Sequence, residues 1–247
     1  MSASTGFDFT GQRVLVVGGS SGIGLATAKL FASLGAKVIV ASSSKDKLDA
    51  ATKAIGHGAT GIVTDATDDA QVQSLFEQTG ELDHIISSSG RAFDKPFLEA
   101  TPEQLFEPWK QKYWVYVRVA RFGAPKLKKG GSITVVGGLN GTRPNPNSHQ
   151  AAAVNGAVEA FARALSLDLS PTRVNVVSPG TIGDTGLWQR SHPDDEKRRE
   201  LFEKQAARLP SKTVGTSEEV ARIIAAIASS PFTTGSVFDV NGGAFLV

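Results

Sequence analysis

The reading of the fold turns on Val14-Leu15-Val16-Val17-Gly18-Gly19-Ser20-Ser21-Gly22-Ile23-Gly24. Its first residues form a continuous, mostly β-branched apolar run, the composition of a strand covered on both faces. Glycines follow at once, with Gly18, Gly22 and Gly24 in a G-x-x-x-G-x-G spacing. Positions without side chains let a backbone turn tightly and approach a pyrophosphate, while the free N–H groups of a following helix point at its negative charge. A helical pattern does follow, through Ile23, Ala26, Leu30, Phe31 and Leu34, and Gly35 stops it; a second apolar run, Val38 to Ala41, comes next. Strand, glycine loop, helix and strand form a βαβ unit, the context in which such a loop reads as a dinucleotide site rather than a bare tight turn.

Outward from this unit the alternation continues. Runs at Gly61 to Thr64, Ile85 to Ser87, Ile133 to Val136, Val174 to Val177 and Val237 to Val240 predict further strands. Helices fit between them at Leu48 to Ile55, Asp69 to Gln78, Pro102 to Leu127, Gln150 to Leu169 and Ser217 to Ala228. The expected class is α/β: a three-layer Rossmann fold with a seven-stranded doubly wound parallel sheet, in a single domain over residues 1–247. The longest connection, Thr181 to Pro210, holds a helical stretch from Asp194 to Arg208 and predicts a substrate lid at about 181–210. On that helix Asp194 and Arg198, and Asp195 and Arg199, are expected to pair at (i, i+4) on a solvated face.

Composition narrows the function. Among 247 residues, 26 basic and 24 acidic side chains leave a net charge of +2, which provides no broad field for nucleic acid. Apolar runs are broken well before the ~20 residues a bilayer span requires, so no membrane partner is expected. With no cysteine there is no disulfide, thiolate or cysteine-based metal site, and a cytoplasmic location is the natural reading. Residues 1–12 lack a basic start and an apolar stretch, and read as a polar arm rather than a signal peptide.

The second strand runs into Ser42, Ser43, Ser44 and Lys45, where a dinucleotide fold meets the adenosine ribose. An acidic residue there would bind both ribose hydroxyls and repel a 2′-phosphate; serine hydroxyls and a lysine can accept that phosphate, so NADP(H) is expected in preference to NAD(H). Asp65, after the third strand, is either an acceptor for the adenine amino group or the cap of its own turn.

With these residues in place the chain resembles the short-chain dehydrogenase/reductase superfamily over nearly its whole length. The likeness rests on VVGGSSGIG, on Asp65-Ala66, and on IISSSG (Ile85 to Gly90) where the family usually has Asn-Asn-Ala-Gly. It extends through NVVSPG (Asn175 to Gly180), VGTSEEVA (Val214 to Ala221) and TGSVFDVNGG (Thr234 to Gly243). The resemblance implies cofactor contacts from Gly18, Ser20, Ser21, Gly22, Ile23, Gly24, Ala66, Ser87, Ser88 and Gly90, with Pro179, Gly180 and Ile182 beside the nicotinamide carboxamide. It also implies a homo-oligomer, frequently a homotetramer, built on the two long helices.

The family's catalytic pattern is different. Members carry a serine after strand five, a Tyr-x-x-x-Lys on the next long helix and an asparagine on the helix before. Aligned on GSITVVGG and AVEAFARALSLDL, those positions hold Gly138, Ala151, Asn155 and, for the asparagine, Lys112. The only tyrosines, Tyr113 and Tyr116, lie on the other helix with no lysine four residues on. Losing a general acid typically costs about 10² to 10⁴ in rate. Asn155 can still bond ribose hydroxyls. His149, of a type whose pKa suits proton transfer, reads as the candidate acid or as a surface loop histidine, and Lys112, Arg91 and Asn140 are further polar groups, of which a lysine or arginine can polarise a carbonyl or hold an anionic substrate. Phe93, Phe97, Leu187, Trp188 and Phe202 read as core or lid packing, or as walls for an apolar substrate. Asp184 or Thr185 takes the place of the family's threonine after Pro179-Gly180, and Asp184 is unfavourable there unless it points away. Two functions follow: an NADP(H)-dependent oxidoreductase with an atypical site reducing a small carbonyl, imine or alkene, or a catalytically silent dinucleotide-binding sensor or partner subunit. Lyase or dehalogenase use without cofactor is disfavoured by the intact glycine loop.

Overall fold

A computed structural model describes residues 6–90 and 95–247. Its seven strands are β1 (Arg13–Val17), β2 (Lys37–Ser42), β3 (Thr60–Val63), β4 (Leu82–Ser87), β5 (Leu127–Val136), β6 (Arg173–Pro179) and β7 (Val237–Val240). They form one sheet in the order β3-β2-β1-β4-β5-β6-β7, parallel throughout. The chain builds outward from β1 to β3, then crosses back to place β4 on the other side of β1. The crevice at that switch point, beyond the carboxyl ends of the strands, is where such sheets bind ligands.

The apolar run of β1 has a direct structural reason. Val14 and Val16 point into one core cluster with Phe9, Phe31, Val40 and Ile224, while Leu15 and Val17 point into the other with Leu75, Phe76, Tyr116 and Val158. Helices cover both faces: α1 (Gly22–Ser33), α2 (Lys45–Ile55) and α9 (Ser217–Ser229) on the first, α3 (Asp69–Thr79), α5 (Trp114–Gly123) and α6 (His149–Asp168) on the second. At the amino ends of the strands, His84 is buried between the Ser132 hydroxyl and the Gln12 amide oxygen, each at 2.8 Å. Among the described residues no helix is long and apolar enough to cross a membrane.

Three expectations need correction. The helix expected over Pro102 to Leu127 is interrupted: α4 (Pro102–Pro108) gives way to a π-turn, Trp109–Tyr113, before α5, then to a 3₁₀ turn, Ala124–Lys126, and Leu127 already belongs to β5. Pro108 lies inside that stretch without an N–H, which removes one link of the helical ladder, and the wider turn follows it. His149 opens α6 instead of preceding it. In the 181–210 segment, α7 (Gly186–Ser191) and α8 (Asp195–Arg208) are present, but the expected (i, i+4) ion pairs are not. The Asp194 carboxylate caps α8 by accepting from the Glu196 and Lys197 N–H groups, so Arg198 pairs instead with Asp195, and Arg199 lies nearest Glu196 and Glu203.

Candidate functional site

The glycine loop leaves β1 with the Gly18 N–H bonded to the Ala41 carbonyl at 2.9 Å. Gly18 has φ +80°, and a Cβ there would stand 2.6 Å from the Ser88 carbonyl oxygen. A Cβ at Gly24 would stand 2.2 Å from the Gly18 carbonyl oxygen, so neither position admits a side chain. Ser21 precedes α1 and makes no side-chain cap, and no acidic residue occupies the first turn. The first N–H groups of α1, with Ile23 beside them, are therefore left to an external acceptor, and the cradle fits a dinucleotide pyrophosphate. Over it sits Thr185: its Cγ2 would lie 3.5 Å from a Cβ at Gly22. The sequence reading placed Thr185 near the site without this contact.

At the ribose end Ser20 and Ser42 face each other with hydroxyl oxygens 2.8 Å apart, and Ser43 is exposed beside them. Ser44 turns away to cap α2, accepting from the Lys47 N–H at 3.4 Å. Lys45 lies along α2 and pairs with Asp49 at 2.7 Å, a contact that raises its pKa. The serines and the lysine thus separate into two groups, hydroxyls at the sheet edge and a cation on the helix. Asp65 caps its own turn, accepting from the Thr67 N–H at 2.9 Å and the Thr67 hydroxyl at 2.8 Å. The turn-capping reading is realised through Oδ1. Ala66 packs on the second core cluster.

Toward the other end, Ser87 is buried at the tip of β4 and the Ser88 N–H bonds the Val17 carbonyl at 2.9 Å. Arg91 and Phe93 lie outside the described residues. Tyr116 is fully buried, and its hydroxyl donates to the Ser89 and Val136 carbonyls at 2.8 and 2.7 Å, tying β4 to β5. Burial pushes its pKa above the usual phenol range, so this tyrosine is a strut and not an acid. Pro179 ends β6, and the Gly180 N–H bonds the Val240 carbonyl at 2.9 Å. Ile182 is buried and bridges to Gly215. Asp184 does point away: its carboxylate accepts from the Ser217 N–H and, at 2.8 Å, from the Ser217 hydroxyl. Trp188 packs edge-on against Phe202 with ring centres 5.4 Å apart, and Phe97 against His149 at 5.2 Å. The His149 Nε2 meets the Lys95 carbonyl at 3.1 Å, and Asn140 accepts from the Asn145 amide at 3.3 Å.

The π-turn brings Lys112 inward. Its stem passes Gly90, where a Cβ would be 3.2 Å from the lysine Cδ. Its ammonium donates to the Gly137 carbonyl and to Asn155 Oδ1, both at 2.7 Å. Trp109, from the same turn, donates to the Gln150 side chain at 2.9 Å, so two side chains fasten the turn to α6. Loss of water around the ammonium lowers its pKa to about 8. Lys112 and Asn155, proposed separately from sequence, thus form one unit. Pro108 was the available signal: a proline inside a helical pattern marks where the ladder opens.

The family model described as Enoyl-(Acyl carrier protein) reductase matches residues 17–244. The chain belongs to the short-chain dehydrogenase/reductase superfamily. Relatives within it include a short-chain dehydrogenase/reductase, ATR9, from Stachybotrys chlorohalonatus, 31% identical over 96% of this chain and 98% of that one. Another is the 3-oxoacyl-[acyl-carrier-protein] reductase FabG of Escherichia coli, 29% identical over 97% of this chain and all (100%) of its own. Among solved structures, the NADPH-bound short-chain oxidoreductase from Pseudomonas aeruginosa PAO1, described as containing an atypical catalytic center, superposes with a TM-score of 0.89. It is 29% identical, covering 96% of this chain and 98% of that one. The superfamily assignment makes this chain an oxidoreductase of the short-chain dehydrogenase/reductase type with a dinucleotide-binding fold.

Proposed function

We propose that this superfamily member binds NADP(H) in preference to NAD(H) and reduces a small carbonyl, imine or alkene substrate. In this reading Gly138, Ala151 and Asn155 stand for the family's serine, tyrosine and lysine, and Lys112 for its asparagine. The observation that carries it is the Lys112 ammonium held 2.7 Å from Asn155 in a cleft whose positions 138 and 151 are small. A binding protein that had lost its chemistry has no need to keep an enclosed cation there, and bulky side chains would be free to fill the space. The NADPH bound in the Pseudomonas aeruginosa neighbour supports the cofactor.

When bound, the reduced nicotinamide supplies hydride. The chain does the rest. Gly18, Gly22 and Gly24, with the N–H groups at Ser21 and Ile23, hold the pyrophosphate. Hydroxyls of Ser20, Ser42 and Ser43 donate to a 2′-phosphate, with no carboxylate after β2 to repel it, and Ser44 and Lys45 add a helix start and a cation. Asp65 and Ala66 border the adenine; Ser87, Ser88 and Gly90 back the cofactor. Pro179, Gly180 and Ile182 would hold the carboxamide, and Asn155 would meet the ribose hydroxyls. Residues 181–210 act as the lid, with Thr185 over the glycine loop. The same reading has a single-domain cytoplasmic protein, homo-oligomeric as a dimer or tetramer through its long helices, without a nucleic-acid or membrane partner.

The test is NADPH consumption by the purified protein over a panel of aldehydes, ketones, imines and enones, with products identified by mass spectrometry. Reduction of at least one class, faster with NADPH than with NADH, is expected. NADPH binding without consumption across the panel would contradict the enzyme reading and favour a silent sensor or partner subunit.

A further inference from the structure

The amide of Asn155 has an orientation fixed by chemistry. A lysine ammonium has only protons to offer, so the branch it touches is Oδ1, the acceptor. The other branch, Nδ2, must then face the opposite way. It faces Gly138: a Cβ built there would stand 2.8 Å from Nδ2. The amide N–H donors therefore occupy the space that a side chain at 138 would enter, and no side chain fits while Lys112 holds Asn155. Nδ2 donates to no described residue, although Asn155 is only 6% exposed. Nδ2 itself is open to solvent, so an external acceptor can reach it. The ammonium on Oδ1 draws electron density from the amide and strengthens its N–H groups as donors. Ala151, one turn earlier on α6, brings only a methyl group to the same helix face.

We propose that Asn155 Nδ2 is the hydrogen-bond donor that binds the substrate's oxygen, that Lys112 is its positioning residue, and that the substrate class is a neutral carbonyl compound. This rests on the reductase reading and narrows it. An isolated alkene offers Nδ2 no lone pair. A cationic iminium meets the repulsion of the Lys112 ammonium, which is charged at neutral pH. A ketone or aldehyde satisfies both groups. Its carbon takes hydride from the reduced dinucleotide, which is oxidised, and its oxygen takes a proton from water, leaving hydroxide; the amide donates a hydrogen bond and keeps its protons. Gly138, Lys112 and Asn155 form one dependent set, since a side chain at 138 displaces the amide that Lys112 holds.

The probe is ethyl acetoacetate labelled with ¹³C at the keto carbon. Its resonance is followed in complex with NADP⁺, where no hydride is available, and its reduction by NADPH is measured in parallel. Asn155→Asp keeps the shape and the Lys112 contact but removes the N–H donors. The wild type is expected to move the keto resonance downfield. Asn155→Asp should abolish the downfield shift and slow reduction about 10² to 10³-fold, the usual loss for one such donor. Gly138→Ala, which keeps both polar residues but displaces the amide by its new Cβ, should reproduce the loss and serves if Asn155→Asp fails to fold. Equal shifts in wild type and variants, or reduction by a wild type that shows no shift, would overturn the role of Asn155 and leave the reductase reading standing. A wild type that neither binds NADPH nor reduces the probe would overturn both.

Discussion

Lys112 and His84 are two residues whose burial lowers their pKa, and each gives a pH signature of known sign. Burial lowers the His84 pKa to about 4, helped by Arg173 and opposed by Asp83, whereas the unfolded residue titrates near 6.5. Between these values the unfolded chain binds more protons, so stability falls as pH drops from 6.5 to 4, by up to about 3 kcal/mol. Urea titrations should show this component in the wild type and not in His84→Gln; equal acid sensitivity would contradict it. Lys112 works in the alkaline range. Its proton leaves near pH 8 in the folded protein and near 10.5 in the unfolded one, so stability rises with pH across that window. The stability of wild type relative to Lys112→Met should therefore increase from pH 8 to 10.5, and a flat difference would show that the ammonium is not enclosed.

The π-turn decides at the level of elements where Lys112 goes. Replacing Pro108 by alanine restores a backbone N–H inside the stretch. If α4 and α5 then join as one α-helix, unfolding free energy should rise, by up to about 3 kcal/mol, while the rotation of the following residues withdraws Lys112 from Asn155. Increased stability with weakened carbonyl reduction is the expected result for Pro108→Ala; unchanged reduction would show that α6, through Trp109 and Gln150, sets the turn by itself. The same turn shows where sequence reading ran short. Strand identity was legible because β1, and the apolar centres of β4 and β6, bury alternate residues in two clusters and so read as short apolar runs. The glycine cradle was legible because contacts of 2.2 to 2.6 Å at Gly24 and Gly18 exclude every side chain. The pairing of Lys112 with Asn155 was not, since residues 43 apart meet only through a change of helical pitch that periodicity does not encode. Asp65 and Asp184 were ambiguous for a related reason: a carboxylate at a strand end serves a ligand or a local N–H equally well, and only the positions of Thr67 and Ser217 decide.

For the whole molecule, the helices of the second face leave large apolar side chains in solvent, with Trp114 49% and Leu167 79% exposed. In the proposed oligomer these side chains are covered by a second subunit. Sedimentation should find a dimer or tetramer, and Trp114→Glu or Leu167→Glu should shift it toward smaller species without unfolding; a monomeric wild type would contradict the oligomer. The central claim is that the crevice at the switch point of the sheet is a working NADP(H) site. Calorimetric titration of the wild type and of Gly24→Ala with NADPH, and separately with NADH, tests it most directly. The account predicts micromolar NADPH binding to the wild type, at least about tenfold tighter than NADH, and its loss in Gly24→Ala, where the new Cβ meets the Gly18 carbonyl oxygen. Comparable affinities for the two dinucleotides would contradict the role of Ser20, Ser42 and Ser43, and failure of both to bind below millimolar would contradict the site itself.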